Sequence, residues 1–173
     1  MAVYKEQISV QSHGKTPTYV DITPQVKEAI KKSGIQNGTC TVISPHTTCS
    51  VFFEEFVHDY NENGDEFLQE DLNHVLEKII PDQTSADIYV YPGEKHYEAV
   101  ESWPNAAEYL PDGDRTALWN CDGHLKATLI GSSQVFEVDE GKLGVGTTGY
   151  IYFADFDRTR PRTRKCKIIV MGE

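Results

Sequence analysis

Two histidine-centred segments lie far apart in this chain. The first, Pro45-His46-Thr47-Thr48-Cys49-Ser50, runs into the acidic pair Glu54-Glu55. The second, Asn120-Cys121-Asp122-Gly123-His124-Leu125-Lys126, is followed by Gly131-Ser132-Ser133. Imidazole titrates nearest neutral pH and serves as acid, base or metal ligand. The hydroxyls, amide and ammonium beside each histidine are donors that suit an anion. Polar groups this dense in apolar sequence must be paired with each other, a metal or a ligand. A two-His, one-carboxylate metal centre is one such pairing, with His46, His124 and either Asp71 or Glu55 as ligands. No short metal motif of the H-E-x-x-H kind accompanies it.

A third feature is a basic strip. Arg158, Arg160, Arg162, Arg164, Lys165 and Lys167 put six of the sixteen lysines and arginines within ten positions. Guanidinium forks such as Arg162 and Arg164 match phosphate oxygens bidentately. The plainer alternative is a solvated strand face with surface ion pairs. A net charge of −11 argues against non-specific nucleic-acid binding. An acidic chain with one basic strip therefore points to a small anionic ligand.

Bulk properties bound the fold. At 173 residues, 39% hydrophobic and 25% charged, the chain fits one domain with a sizeable core. No apolar run approaches the ~20 residues that span a bilayer. The first residues lack a basic-then-apolar leader pattern, so a cytoplasmic location is expected. The four cysteines (Cys40, Cys49, Cys121, Cys166) are scattered without a C-x-x-C and read as free thiols.

The elements that position these residues follow from periodicity. Tyr4–Val10, Thr18–Ile22, Gly38–Ser44 and Ser50–Phe56 read as strands. Thr23-Pro24 opens a helix, with Thr23 as its cap, and Ser33-Gly34 closes it. Gly64–Ile80 is the clearest helix, with Phe67, Leu68, Leu72, Val75, Leu76, Ile79 and Ile80 predicting one buried stripe. Asp71 falls inside that stripe, so it either pairs in the core or serves the histidines. His74 can pair with Glu70 or Glu77, and His13, His58 and His96 read as surface residues. Residues 82–119 are rich in turn signals and aromatics and predict a long irregular segment that packs as a lid or interface. Leu125–Ile130 is ambiguous. Gln134–Val138, Lys142–Gly146, Tyr150–Phe156 and Lys165–Met171 read as a run of antiparallel strands, with a turn at Asp139-Glu140-Gly141. Strands with segregated helices predict a single α+β domain with an antiparallel, sandwich-like core and two or three helices.

These residues resemble the YjbQ-like family, whose members are described as secondary thiamine-phosphate synthases. His46-Thr47-Thr48-Cys49-Ser50 running to Glu55 is similar to the family's H-[TS]-[TS]-A-[SA]…N-E block. Asn120-x-x-x-His124-Leu125-Lys126-Ala127 with Gly131-Ser132-Ser133 is similar to its N-x-x-x-H-[LI]-K-[AS]…G-x-S block. Gly141-Lys142-Leu143-x-x-Gly146-Thr147, Asp155-Phe156-Asp157 and Pro161-Arg162-Thr163-Arg164 resemble the closing blocks. Three departures stand out. Thr148-Gly149 replace a usual Trp-Gln, Glu54 replaces a usual Asn, and both the stretch after Glu55 and residues 82–119 are longer than usual. These bear on substrate more than on fold.

The resemblance implies a homotrimer with its pocket where the His46 and His124 segments meet. It implies a transferase that joins a pyrimidine pyrophosphate to a thiazole phosphate and releases pyrophosphate. On that reading His46, Glu55, Asp71 and His124 are the catalytic candidates. Thr47, Thr48, Ser50, Asn120, Lys126, Ser132, Ser133, Arg162 and Arg164 hold the phosphorylated substrate. A divalent metal (Mg²⁺ or Zn²⁺) can assist pyrophosphate departure, and no organic cofactor, nucleic acid or membrane partner is implied. A non-catalytic anion-binding module is the other reading.

Overall fold

The computed structural model describes residues 1–173. In chain order the main elements are β1 (Ala2–Ser12), β2 (Thr18–Asp21), α1 (Thr23–Ser33), β3 (Gly38–Ile43), β4 (Cys49–Glu55) and α2 (Phe67–Ile79). There follow α3 (Glu94–Glu101), α4 (Ala106–Tyr109), α5 (Cys121–Ile130), β5 (Ser133–Asp139), β6 (Lys142–Leu143), β7 (Gly149–Asp155) and β8 (Arg162–Gly172). The strands form two antiparallel sheets, one ordered β1-β8-β3-β5-β6 and the other β2-β7-β4. The fold is thus a single α+β domain, as the patterning predicts, but with five helices rather than two or three, because residues 82–119 fold into two of them and Cys121–Ile130 is helical.

Alternation drives the sheets together. Val10, Cys40, Val42, Phe136, Val138, Cys166, Ile168 and Val170 point from the larger sheet into the main core. Cys49, Val51, Ile151 and Phe153 meet them from the smaller sheet, and Val26, Ala29 and Ile30 of α1 complete the layer. The other face of the smaller sheet presents Phe52, Tyr152, Ala154 and Phe156, on which Leu76 of α2 and Ala127 of α5 pack. β7 is therefore covered on both faces, which explains its nearly unbroken apolar run. The β5–β6 hairpin turns at Glu140 and Gly141, both at positive φ, as the Asp139-Glu140-Gly141 signal predicts.

Four expectations are corrected. Thr23 does not cap α1. Ile22 stands at the cap, and the Thr23 hydroxyl oxygen instead accepts from the Ile151 N–H at 2.7 Å. α2 begins at Phe67 rather than Gly64, opened by a capping box between Glu66 and Gln69. Its stripe is not buried: Phe67, Val75 and Ile79 are 51, 55 and 62% exposed, and Leu76 is the only apolar residue of the helix that is fully buried. The strip that touches the small sheet is narrow, so most of the apolar arc has no partner within the chain. Residues 82–119 are not irregular. They hold α3, α4 and two short 3-10 turns around a small core of Val100, Leu110 and Leu118.

Candidate functional site

The two histidine segments meet. His46, Thr47 and Thr48, on the loop between β3 and β4, line the same cleft as Asn120 and His124 at the start of α5. Arg160, Arg162 and Arg164, from the turn after β7 and the first residues of β8, line it as well. The cleft has a volume of about 320 Å³, within the range of small-molecule sites. Three local features set this convergence. The β1–β8 ribbon places Ser12 opposite Arg162 and Val10 opposite Arg164, which fixes where the basic strip enters. β7 ends at Asp155, beside Cys49 at the start of β4. Gly123 lets α5 approach that end closely: a Cβ there would lie 3.0 Å from the Phe156 carbonyl oxygen.

Buried carboxylates organise the arginines. Asp155 accepts from Arg164 Nε at 2.7 Å and from its Nη2 at 3.0 Å, a bidentate pair joining the two sheets. Arg164 Nη2 also donates to the Thr48 hydroxyl at 3.0 Å. Asp157 accepts from Arg162 Nη2 at 2.6 Å and from Asn120 Nδ2 at 3.1 Å. Burial works against the Asp157 charge, yet Arg162, Thr159 and Asn120 together hold its carboxyl below the usual range. Arg160 differs. No carboxylate lies within 4.0 Å of it, and its Nη1 donates to the Tyr109 backbone carbonyl at 2.7 Å. Arg162 Nε and Asn120 Oδ1 are buried and unpartnered. The cleft therefore carries one guanidinium with no carboxylate partner.

At both histidines the surroundings disfavour the charged form. Burial lowers the His46 pKa, and Arg164 pushes it the same way. The Lys165 backbone N–H donates to His46 Nε2 at 2.9 Å, so Nδ1–H is the donor that neutral His46 retains. Burial likewise lowers the His124 pKa, opposed by Asp157 and by a hydrogen bond to the Thr47 backbone carbonyl.

Other candidates fall elsewhere. Lys126 is 1% exposed, its ammonium 2.7 Å from Asp82 and 3.8 Å from Asp122. Arg158 closes that network on the same two acids at 3.2 and 3.0 Å. Its charges balance within the fold, so Lys126 anchors the 82–119 segment to α5. Ser50 is fully buried and its hydroxyl donates to the Ala127 carbonyl at 3.3 Å. Ser132 lines an adjoining cavity that shares Pro45, His46 and Thr47 with the cleft, and Ser133 is exposed on β5. Glu55 is exposed at the end of β4 paired with Gly149, the opposite end from His46. Asp71 is exposed on α2, beside Phe67 and Glu70. With neither carboxylate near, and His46 Nε2 occupied, the residues present do not fit a two-His, one-carboxylate metal centre, and no group of three His, Cys, Asp or Glu side chains is placed to hold a metal ion.

Sequence reasoning missed several cleft residues. His96, read as a surface residue, lines the cleft together with Tyr91, and the Tyr91 hydroxyl lies 3.0 Å from His96 Nε2. Trp103 and Tyr109 line it too. The aromatic density of 82–119 was the available signal; nothing in it marked which rings turn inward. Glu54, in place of a usual Asn, sits half-buried away from the cleft, its pKa raised to about 7 by burial and by Glu66.

Fold and site define a class: a two-sheet α+β domain with a histidine-lined cationic cleft at one end of the sheets. The chain belongs to the UPF0047 YjbQ-like family, whose model matches residues 6–173. A UPF0047 protein of Methanothermobacter thermautotrophicus is 28% identical over 173 residues, covering 100% of this chain and 95% of that protein. One of Archaeoglobus fulgidus is 33% identical over 146 residues, 84% of this chain and 85% of that protein. Among solved structures, a YbjQ-like protein of unknown function from Sulfolobus solfataricus superposes with a TM-score of 0.66 at 28% identity, covering 99% of each chain. A YjbQ/UPF0047 protein of Clostridium acetobutylicum gives 0.68 at 28% identity over 96% of this chain and 99% of that one.

Proposed function

We propose that this chain is a secondary thiamine-phosphate synthase-like transferase acting on small phosphorylated substrates in the arginine–histidine cleft. The observation that carries the reading is the convergence of Arg160, Arg162, His46 and His124 on one small cavity of an acidic protein. In the reaction, the thiazole nitrogen gives its lone pair to the methylene carbon of the pyrimidine. The carbon–oxygen bond to pyrophosphate breaks and the leaving group keeps that electron pair. Positive charge ends on the thiazolium ring, and no oxidant or reductant is needed.

What such a step requires is stabilisation of charge on the departing pyrophosphate. Arg160 supplies a charge not already spent on a carboxylate. Arg162 lines the cleft beside it, and Thr47 and neutral His46 supply further donors. Negative charge arriving beside His124 favours its protonation, which offsets the charge on the leaving group. Asn120 and Asp157 hold Arg162 in place.

The reading extends to assembly as a homotrimer, supported by the exposed apolar arc of α2. The test is formation of thiamine phosphate from the two phosphorylated halves, with and without Mg²⁺. Wild type is expected to turn over, and His124→Ala to lose about a hundredfold or more, the usual range for a positioned acid–base group. Equal turnover by both proteins would remove His124 from the mechanism, and no turnover by wild type would refute the synthase assignment.

A further inference from the structure

The 82–119 segment builds a wall whose chemistry the proposed reaction has not used. Its small core of Val100, Leu110 and Leu118 makes it a folded unit. Its base is fixed by Gln83, which donates to the Tyr91 carbonyl at 2.9 Å and accepts from the Cys121 N–H at 2.9 Å. From that frame Tyr91, Trp103 and Tyr109 reach the cleft. The Trp103 ring stands edge-on to Tyr109, with centroids 5.1 Å apart and planes at 82°, and remains 43% exposed. Tyr91 is held on two sides, by His96 and by an edge contact to the His124 ring at 5.7 Å.

Arg160 joins this wall to the anion site. Its guanidinium donates to the Tyr109 carbonyl and sits 5.7 Å from the Tyr109 ring centre. The one cleft arginine with uncommitted charge is therefore fastened to the aromatic segment. A group bound to Arg160 has its next atoms beside Trp103 and Tyr109.

We propose that the 82–119 segment is the specificity element of the cleft, and that it selects phosphate esters of a planar aromatic ring. The phosphate sits on Arg160 and Arg162, and the ring lies against Trp103 and Tyr109. This inference rests on the cleft binding phosphorylated anions and adds which residues read the rest of the ligand. Aromatic faces discriminate by stacking, which an alkyl ester of the same charge cannot match.

The test is calorimetric binding of phenyl phosphate, methyl phosphate and inorganic phosphate to the whole chain. Wild type is expected to hold phenyl phosphate roughly tenfold more tightly than methyl phosphate, the scale of one aromatic stacking contact. Trp103→Ala, at an exposed position, is expected to bring that ratio to about one, with Trp103→Phe restoring most of it. Arg160→Ala is expected to weaken all three ligands together. Equal affinity of wild type for the phenyl and methyl esters would overturn the aromatic wall while leaving the anion site standing. A preference that survives Trp103→Ala would overturn the assignment of the ring to Trp103. Failure of wild type to bind any of the three would overturn the inference together with the phosphate-binding reading beneath it.

Discussion

At the residue scale, the cleft separates arginines already paired with carboxylates from Arg160, which has no carboxylate partner. Arg164 and Asp155 form a bidentate pair that is nearly out of solvent, with side chains 10 and 1% exposed. Removing Arg164 leaves Asp155 buried and unpaired, so Arg164→Ala should lower unfolding free energy by about 3–5 kcal/mol. Arg160 has no carboxylate partner to abandon. Arg160→Ala should leave the urea midpoint close to wild type while weakening phosphate binding. Urea titration and calorimetry on the two variants check both halves of that contrast. His124 gives a pH dependence of known sign. Burial depresses His124 in the free protein, and a bound anion favours its charged form, whereas His46 stays neutral because its Nε2 accepts the Lys165 N–H. Binding therefore takes up protons, and affinity should rise as pH falls from 8 toward 5. Sulfate is the suitable probe, since its own charge is constant over that range. His124→Ala should flatten the curve, and a wild-type affinity that stays level with pH would contradict the assignment of His124 to the anion site.

At the scale of elements, the two histidine blocks and the basic strip were legible because each is local: a loop, a helix start and a strand start carry them whole. Which arginine stays free was not legible, because it depends on Asp155 and Asp157 arriving from β7. Lys126 was misread for the same reason, since its partner Asp82 lies 44 residues away in sequence. Periodicity marks the apolar stripe on α2 but not what covers it. The run of strands after α5 was recognised, but sequence gave no sign that β7 leaves the larger sheet for the smaller. Residues 82–119 hid their short helices behind turn signals at Pro92-Gly93, Trp103-Pro104 and Pro111-Asp112-Gly113. Their attachment makes a prediction. Asp82 bridges Lys126 and Arg158 at the root of the segment, so Asp82→Ala should loosen it. Hydrogen exchange in 82–119 should quicken while β3 and β8 keep their protection. Unchanged exchange in the segment would mean that its small core alone fastens it.

At the scale of the molecule, the two sheets form a sandwich whose one end is the cleft and whose small-sheet flank carries α2 and α5. Phe67, Val75 and Ile79 of α2 are more than half exposed, with no partner within the chain. If copies of the chain assemble through it, Val75→Asp should convert a trimeric mass in light scattering to a monomeric one, with the circular dichroism spectrum retained. A wild type that runs as a monomer would remove the trimer from the account. No helix of the chain is long and apolar enough to cross a membrane, so the exposed arc is not part of a spanning segment.

The central claim is that the arginine–histidine cleft is where a phosphorylated substrate sits. The most direct test is a crystal structure of the whole chain with inorganic pyrophosphate. The account predicts pyrophosphate within hydrogen-bond reach of Arg160 and Arg162, with His124 beside it. Pyrophosphate bound elsewhere, or an empty cleft at concentrations that saturate the protein in solution, would contradict it.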